Sequence, residues 1–197
     1  MPGKRGIGVC ASILLLICGG PCFGFLSATA TYTSQPGTSP GTYDYTFTLN
    51  NTGTTNIGTF WFAWVAPPTV PVIYDFLTAP ATNVIGPTGW IGQNIEDGYL
   101  PPPPHYYSVE WITGTPLAAG QSLSGFKFTS TETPDVIGGS SYLGSSFPVA
   151  ASYVYIGLSQ GDSGYEFNSA SQPAPEPATG LLASPLVLLL LRRRRGV

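Results

Sequence analysis

The sequence predicts an all-β chain whose central part folds as an antiparallel β-sandwich, and three observations carry that expectation. A period-two alternation of apolar and polar residues runs from Thr42 to Leu49. The run Phe60-Trp61-Phe62-Ala63-Trp64-Val65 is apolar on both faces, as a central strand covered on both sides would be. About eight such short segments are separated by Gly, Pro and Asn turns, and 25 Gly with 20 Pro leave little room for regular helix.

The chain opens on residues 1–30, which have the plan of a signal peptide and are expected as a signal helix. Lys4 and Arg5 supply the positive start, and Ile7–Cys18 is an apolar run of signal-peptide length. Ser27-Ala28-Thr29-Ala30 then offers small residues at the −3 and −1 positions, so cleavage is expected after Ala28 or Ala30. Neither Cys18 nor Cys22 carries the flanking residues of a lipoprotein site. An uncleaved anchor is the alternative, although the run is short for a span of about 20 residues.

Residues 31–168 are the expected sandwich domain. Tyr43, Tyr45, Phe47 and Leu49 share one face of the first strand, and Asn50-Asn51-Thr52-Gly53 supplies turn chemistry after it. Phe60–Val65 follows, with Trp61 and Trp64 on opposite faces of a regular strand, and Pro67-Pro68 ends it because proline cannot donate to a ladder. Weaker strands are expected over Val72–Leu77, Gly89–Ile95 and Ser108–Ile112, with Pro101–Pro104 as an extended connector. In Leu123–Phe128 the parity of Leu123 conflicts with that of Phe126 and Phe128, so a bulge is expected at Ser124-Gly125. Tyr153 and Tyr155 lie on one face of the next strand and Val154 and Ile156 on the other, and Tyr165–Asn168 reads as the last. Leu49-Asn50-Asn51-Thr52-Gly53 followed by Ile57 resembles the early strands of bacterial Ig-like or fibronectin-type sandwiches, a likeness that implies a fold and not a function.

After a linker at 169–174, within the proline-rich stretch Ser169–Pro177, comes an apolar run over 178–191 and then Arg192, Arg193, Arg194 and Arg195. Arginines favour the cytoplasmic face, so this transmembrane helix would leave residues 31–174 outside. Pro175-Glu176-Pro177, a leucine-rich segment and an arginine cluster, in that order, resemble the PEP-CTERM sorting tail, here 175–197. The resemblance implies export by Gram-negative bacteria that make extracellular polysaccharide, and processing by an exosortase near Pro175-Glu176-Pro177. The 14 residues of Ala178–Leu191 span about 21 Å as helix against a hydrocarbon core of about 30 Å, and Pro185 interrupts them. A weak anchor suits a tail that is cut away; a plain single-pass anchor is the alternative.

Composition narrows the function classes. Charged residues are only 9% of the chain, against about 25% in an average domain. Six of the seven basic residues lie in the two ends, so residues 31–174 hold Lys127 against nine acids, a net charge of −8. Such a body is repelled by phosphate backbones, and no nucleic-acid partner is expected. Cys10, Cys18 and Cys22 all precede residue 31, so a processed domain has no disulfide, no thiolate and no cysteine-bound zinc.

Candidate chemistry is sparse. His105 is the only histidine, and it has neither a nucleophile motif nor companion donors beside it, so no catalytic residue, metal site or cofactor is expected. Glu96-Asp97 and Glu110 could serve as paired carboxylates for glycoside hydrolysis only if folding brought them together. Asp162-Ser163-Gly164 and Glu96-Asp97-Gly98 have turn composition without the spacing of a calcium loop. Trp90, Tyr106 and Tyr107, next to Gly and Pro loops, are the candidate sugar-stacking residues, with core packing as the competing role.

These readings converge on a non-enzymatic structural protein of the cell surface or the extracellular polysaccharide layer. Its expected partners are the exosortase and export machinery, the membrane through its C-terminal helix, and extracellular polysaccharide. A carbohydrate-binding module is the first alternative and a secreted hydrolase the second.

Overall fold

The structure, a computed structural model, describes residues 24–65, 74–96, 105–142, 144–157 and 162–173. The signal-peptide features before Gly24, Pro67-Pro68, Asp97, Pro101–Pro104 and the whole sorting tail lie outside the described residues. No helix among the described residues is long and apolar enough to cross a membrane.

Those residues are all-β. Strands β1 (Ala28–Pro36), β2 (Tyr43–Asn51) and β3 (Ile57–Phe62) come first, followed by the short β4 (Trp64–Val65) and β5 (Tyr74–Asp75). Strands β6 (Thr82–Ile85), β7 (Trp90–Ile95), β8 (Ser108–Leu117) and β9 (Ser122–Ser130) continue the chain. A single turn of helix, α1 (Pro134–Ile137), then leads to β10 (Ser140–Ser141), β11 (Gly144–Pro148), β12 (Ala151–Tyr155), β13 (Gly164–Asn168) and β14 (Ala170–Ser171). Thr133 caps α1 by accepting from the Val136 amide, and Pro134 occupies the first turn, where a missing N–H costs nothing.

Two five-stranded sheets form the body, one in the order β14-β1-β2-β9-β6 and the other β13-β12-β3-β8-β7. All neighbours in them are antiparallel except β1 and β14. The period-two pattern decides which face each strand buries. Tyr45, Phe47 and Leu49 of β2 and Phe126 and Phe128 of β9 point inward from the first sheet. Phe60 and Phe62 of β3, Val109 and Trp111 of β8 and Val154 of β12 meet them from the second. Phe47 sits at the centre, its ring 4.7–6.2 Å from those of Tyr32, Phe60, Phe62, Trp111 and Phe128. Such pairs add about 0.5–1.5 kcal/mol each beyond their buried area, which suits a core without disulfides.

The expected bulge is present. Phe47 pairs with Phe126 and Thr48 with Ser124, so Gly125 is skipped, and its φ of +105° is open to glycine alone among common residues. The expected opposition of Trp61 and Trp64 is not found. Ala63 adopts φ +58° between them, which ends the alternation of β3, and the two indoles pack against each other on one face in a tilted arrangement, ring centroids 4.8 Å apart.

Two boundaries also differ from expectation. The fold begins before residue 31: Ala28 and Ala30, the expected cleavage residues, are inward positions of β1 with 1% and 2% exposure. It also runs past residue 168, because β14 pairs in parallel with β1 and Gln172 donates its amide to Tyr32 O at 2.7 Å. Ala170 and Ser171 have no apolar pattern to reveal this.

Candidate functional site

Two surfaces collect the residues with chemical potential, one on the outer face of each sheet. On the second sheet, register sets Glu166, Tyr153, Trp61, Glu110 and Gln93 side by side in one row across β13, β12, β3, β8 and β7. Trp64 joins them beyond the Ala63 kink, its ring 5.2 Å from that of Tyr153 and 6.0 Å from that of Tyr155. Trp61, Trp64 and Tyr155 form a second apolar cluster, with Ile95 and Tyr153 packed against it.

This cluster has the composition of a sugar platform without the access. Trp61 and Trp64 are 3% and 0% exposed, their rings tilted by 31° with centroids 4.8 Å apart, and Trp64 meets Tyr153 edge-on. Neither indole N–H has a hydrogen-bond partner among the described residues. Glu110 is buried beside them and accepts from Gln93 Nε2 at 2.5 Å. Burial pushes its carboxyl pKa up, and the Gln93 hydrogen bond offsets part of that rise. Burial also raises the Glu166 carboxyl. Three interstrand steps of about 4.8 Å place the backbones of Glu110 and Glu166 roughly 14 Å apart, with Trp61 and Tyr153 between them.

The other residues singled out in the sequence are dispersed. Trp90 is not on a rim: it is 7% exposed in the main core, with its ring edge-on to Phe126 at 5.0 Å. Gly89, at φ +85°, turns the chain so that the indole enters the sandwich instead of the solvent. Tyr106 is half-buried and stacked on Tyr142 at 4.0 Å. Tyr107 is half-buried too, and its backbone forms a bridge with Leu77. The three candidates therefore do not share one platform.

His105 and Glu96 are both half-exposed, and His105 Nδ1 lies 2.8 Å from Glu96 Oε1, which closes the two ends of the 97–104 segment. Glu96 follows the end of β7 at a position of opposite parity to Gln93, so it is not aligned with Glu110. Glu132, which no sequence pattern marks, is a structural tie: its carboxylate accepts from the Thr78 amide at 3.0 Å and from the Thr78 hydroxyl. Its carbonyl accepts from Tyr45 OH at 2.7 Å. Among the described residues no group of three or more His, Cys, Asp or Glu could hold a metal ion.

The outer face of the first sheet is of a different kind. A cleft of about 240 Å³ lies where β6 meets β9 and β2, lined by Gln35, Asp44, Thr46, Asn83, Lys127 and Thr129 among others. Strand β6 pairs irregularly with β9 between Thr82 and Ile85, and Asn83 takes φ +51°, a conformation asparagine tolerates better than most residues. That irregularity brings Asn83 Nδ2 to Thr129 Oγ1 at 3.3 Å, while Thr129 Oγ1 donates to Asp44 Oδ1 at 2.6 Å. A polar relay thus crosses three strands at the cleft. Its signal in the sequence, Asp44, Thr46, Lys127 and Thr129 at outward positions, is the same as that of any solvated strand face.

No family model matches the chain, and no curated protein matches it. Among solved structures it is similar to a GH20 exo-β-N-acetylglucosaminidase from Vibrio harveyi, in complex with N-acetylglucosamine, at 9% identity and a TM-score of 0.40. That match covers 74% of this chain, which spans only 18% of the enzyme. It is also similar to a CBM3 of Hungateiclostridium clariflavum at 13% identity and a TM-score of 0.32, over 55% of this chain and 73% of that one. At these TM-scores neither likeness carries an argument about fold or function.

Proposed function

We propose that the chain is an exported structural protein of the cell surface or the extracellular polysaccharide layer, sorted by an exosortase through residues 175–197. The observation that carries this reading is the tail, Pro175-Glu176-Pro177 with a short apolar run and Arg192–Arg195, joined to one cysteine-free domain. The cleft on the first sheet favours a second reading, direct carbohydrate binding. The finer likeness of the sandwich to Ig-like or fibronectin-type domains, with a signal helix before it and a transmembrane helix after it, belongs to the same proposal.

The test is the C-terminus of the native, surface-located protein, read by mass spectrometry. Loss of Arg192–Arg195 with a new end near Pro175–Pro177 is the expected result. An intact tail on surface protein rejects exosortase processing and leaves a permanent anchor.

A further inference from the structure

We infer that the cleft between β6, β9 and β2 seats one neutral sugar unit of a polysaccharide, whose chain continues along the hydroxyl-bearing outer face of the first sheet. The inference rests on the polysaccharide-associated reading above and names the surface that makes the contact.

The chemistry of the cleft selects its occupant. One oxygen of Asp44 is used by Thr129, and the other has no donor among the described residues. Lys127, exposed and the single base of residues 31–174, has no acceptor among them either. Asp44 pairs across the sheet with Thr129, and Lys127 with Thr46, so the two residues sit diagonally, their backbone positions about 7–8 Å apart. They form no ion pair with each other among the described residues, and a ring bearing hydroxyls on both sides would bridge them. Gln35 and Thr46 present further side-chain donors and acceptors with no partner of their own among the described residues, and Ile85, 55% exposed, offers an aliphatic wall.

Other ligand classes fit less well. A phosphate group would need a cluster of cations and finds one lysine. Calcium takes about six to eight oxygens, commonly several carboxylates, and finds one acid that is already hydrogen-bonded. A nucleobase would need an exposed aromatic face, whereas Tyr45 and Phe128, which border the cleft, are buried core rings. The cleft is smaller than the roughly 300–1,000 Å³ of sites for drug-sized ligands, so it holds one ring-sized group. Mixed donors and acceptors, with the charges of Asp44 and Lys127 cancelling, match hydroxyls that both give and accept. The −8 charge of the body disfavours a polyanionic chain.

The same face explains why the ligand is a polymer. Below the cleft, Thr33 pairs with Thr46, Thr31 with Thr48, and Thr29 with Asn50, and β9 adds Ser124 beside Thr48 and Ser122 beside Asn50. From Gln35 and Asp44 down to Thr29 and Asn50 these rows extend about 20 Å at ~3.4 Å per residue. Hydrogen bonds between Thr48 and Ser124 at 2.8 Å and from Ser122 to Asn50 at 2.6 Å hold the side chains in place. An extended sugar chain lying along the strands would meet hydroxyl and amide groups at every step.

The test is affinity electrophoresis of the full-length chain in mild detergent, through gels containing hydroxyethyl cellulose, galactomannan or alginate. The neutral polymers are expected to retard it, and Asp44→Ala and Lys127→Ala each to weaken that retardation by about tenfold or more, the scale of one lost charge-assisted hydrogen bond. Ile91→Ala, at an exposed position on the second sheet, should leave it unchanged. Retardation that survives both cleft variants overturns the inference while the polysaccharide-associated reading stands. Retardation by alginate alone, lost with Lys127→Ala, overturns the neutral ligand. No retardation by any of the three polymers overturns the inference too. The reading itself is measured separately, by whether native protein co-sediments with extracellular polysaccharide.

Discussion

Glu110 shows how one side chain records its surroundings. It is a carboxyl on an outward strand position, yet Trp61 lies beside it in the row and it is almost fully buried. Burial disfavours the charged form, so its folded pKa stands above the ordinary 4.5 despite the hydrogen bond from Gln93. A raised carboxyl pKa means that the folded state binds the proton more tightly than the unfolded one. Its contribution to stability is therefore complete below pH 4.5 and is lost as pH rises through the folded pKa. Replacing Glu110 with Gln removes the ionisation and lets the Gln93 amide keep an oxygen acceptor. The variant is expected to melt at a higher temperature than the parent at neutral pH, with the two curves converging below pH 4.5. Thermal unfolding followed by circular dichroism at both pH values checks this, and a parallel pH dependence in the two proteins would remove Glu110 as its source.

Among the elements, the two breaks in alternation make an instructive pair. The bulge in β9 is legible in the sequence because Leu123 and the phenylalanines Phe126 and Phe128 demand opposite parities, and glycine stands between them. The kink at Ala63 is not legible, since a run that is apolar on both faces carries no parity to violate and alanine gives no sign of a positive φ. The same blindness left the direction of Trp90 open between rim and core, since that direction depends on a glycine turn rather than on any alternation. It also hid the cleft, which arises from the irregular pairing of β6. At the bulge the conformational demand can be measured. Gly125→Ala would put a side chain at φ +105°, and its expected cost is about 1–3 kcal/mol, although the nearest atom to the new methyl, Pro87 Cβ at 3.7 Å, does not clash. Gly114→Ala, in the outer part of β8 with open space around it and no positive φ, should stay within about 0.5 kcal/mol of the parent. Urea midpoints for the pair separate backbone strain from crowding.

For the whole molecule, the fold and the expected leader compete for the same residues. Ser27-Ala28-Thr29-Ala30 is written in small residues that suit a signal peptidase, and small residues at 28 and 30 are also what the inner face of β1 accepts there. The packing favours the sandwich as their owner. Phe25 N donates to Thr54 Oγ1 at 2.9 Å, Thr54 N donates to Phe25 O at 2.9 Å, and Thr52 N and Gly53 N both donate to Ser27 O at 3.0 Å. Gly53 must be glycine for this, because a Cβ there would fall 2.5 Å from Phe25 O. Cutting after Ala30 would delete all four bonds, worth about 0.5–1.5 kcal/mol each, from a domain whose total stability is of order 5–15 kcal/mol. Cutting after Gly24 would spare them, and Cys22 and Gly24 then occupy the −3 and −1 positions with small side chains. The mature protein is therefore expected to begin at Phe25 or earlier, as read by mass spectrometry of native material. A recombinant domain starting at Thr31 should unfold at a distinctly lower urea concentration than one starting at Gly24. Equal midpoints would mean that residues 24–30 contribute nothing measurable to the stability of the sandwich.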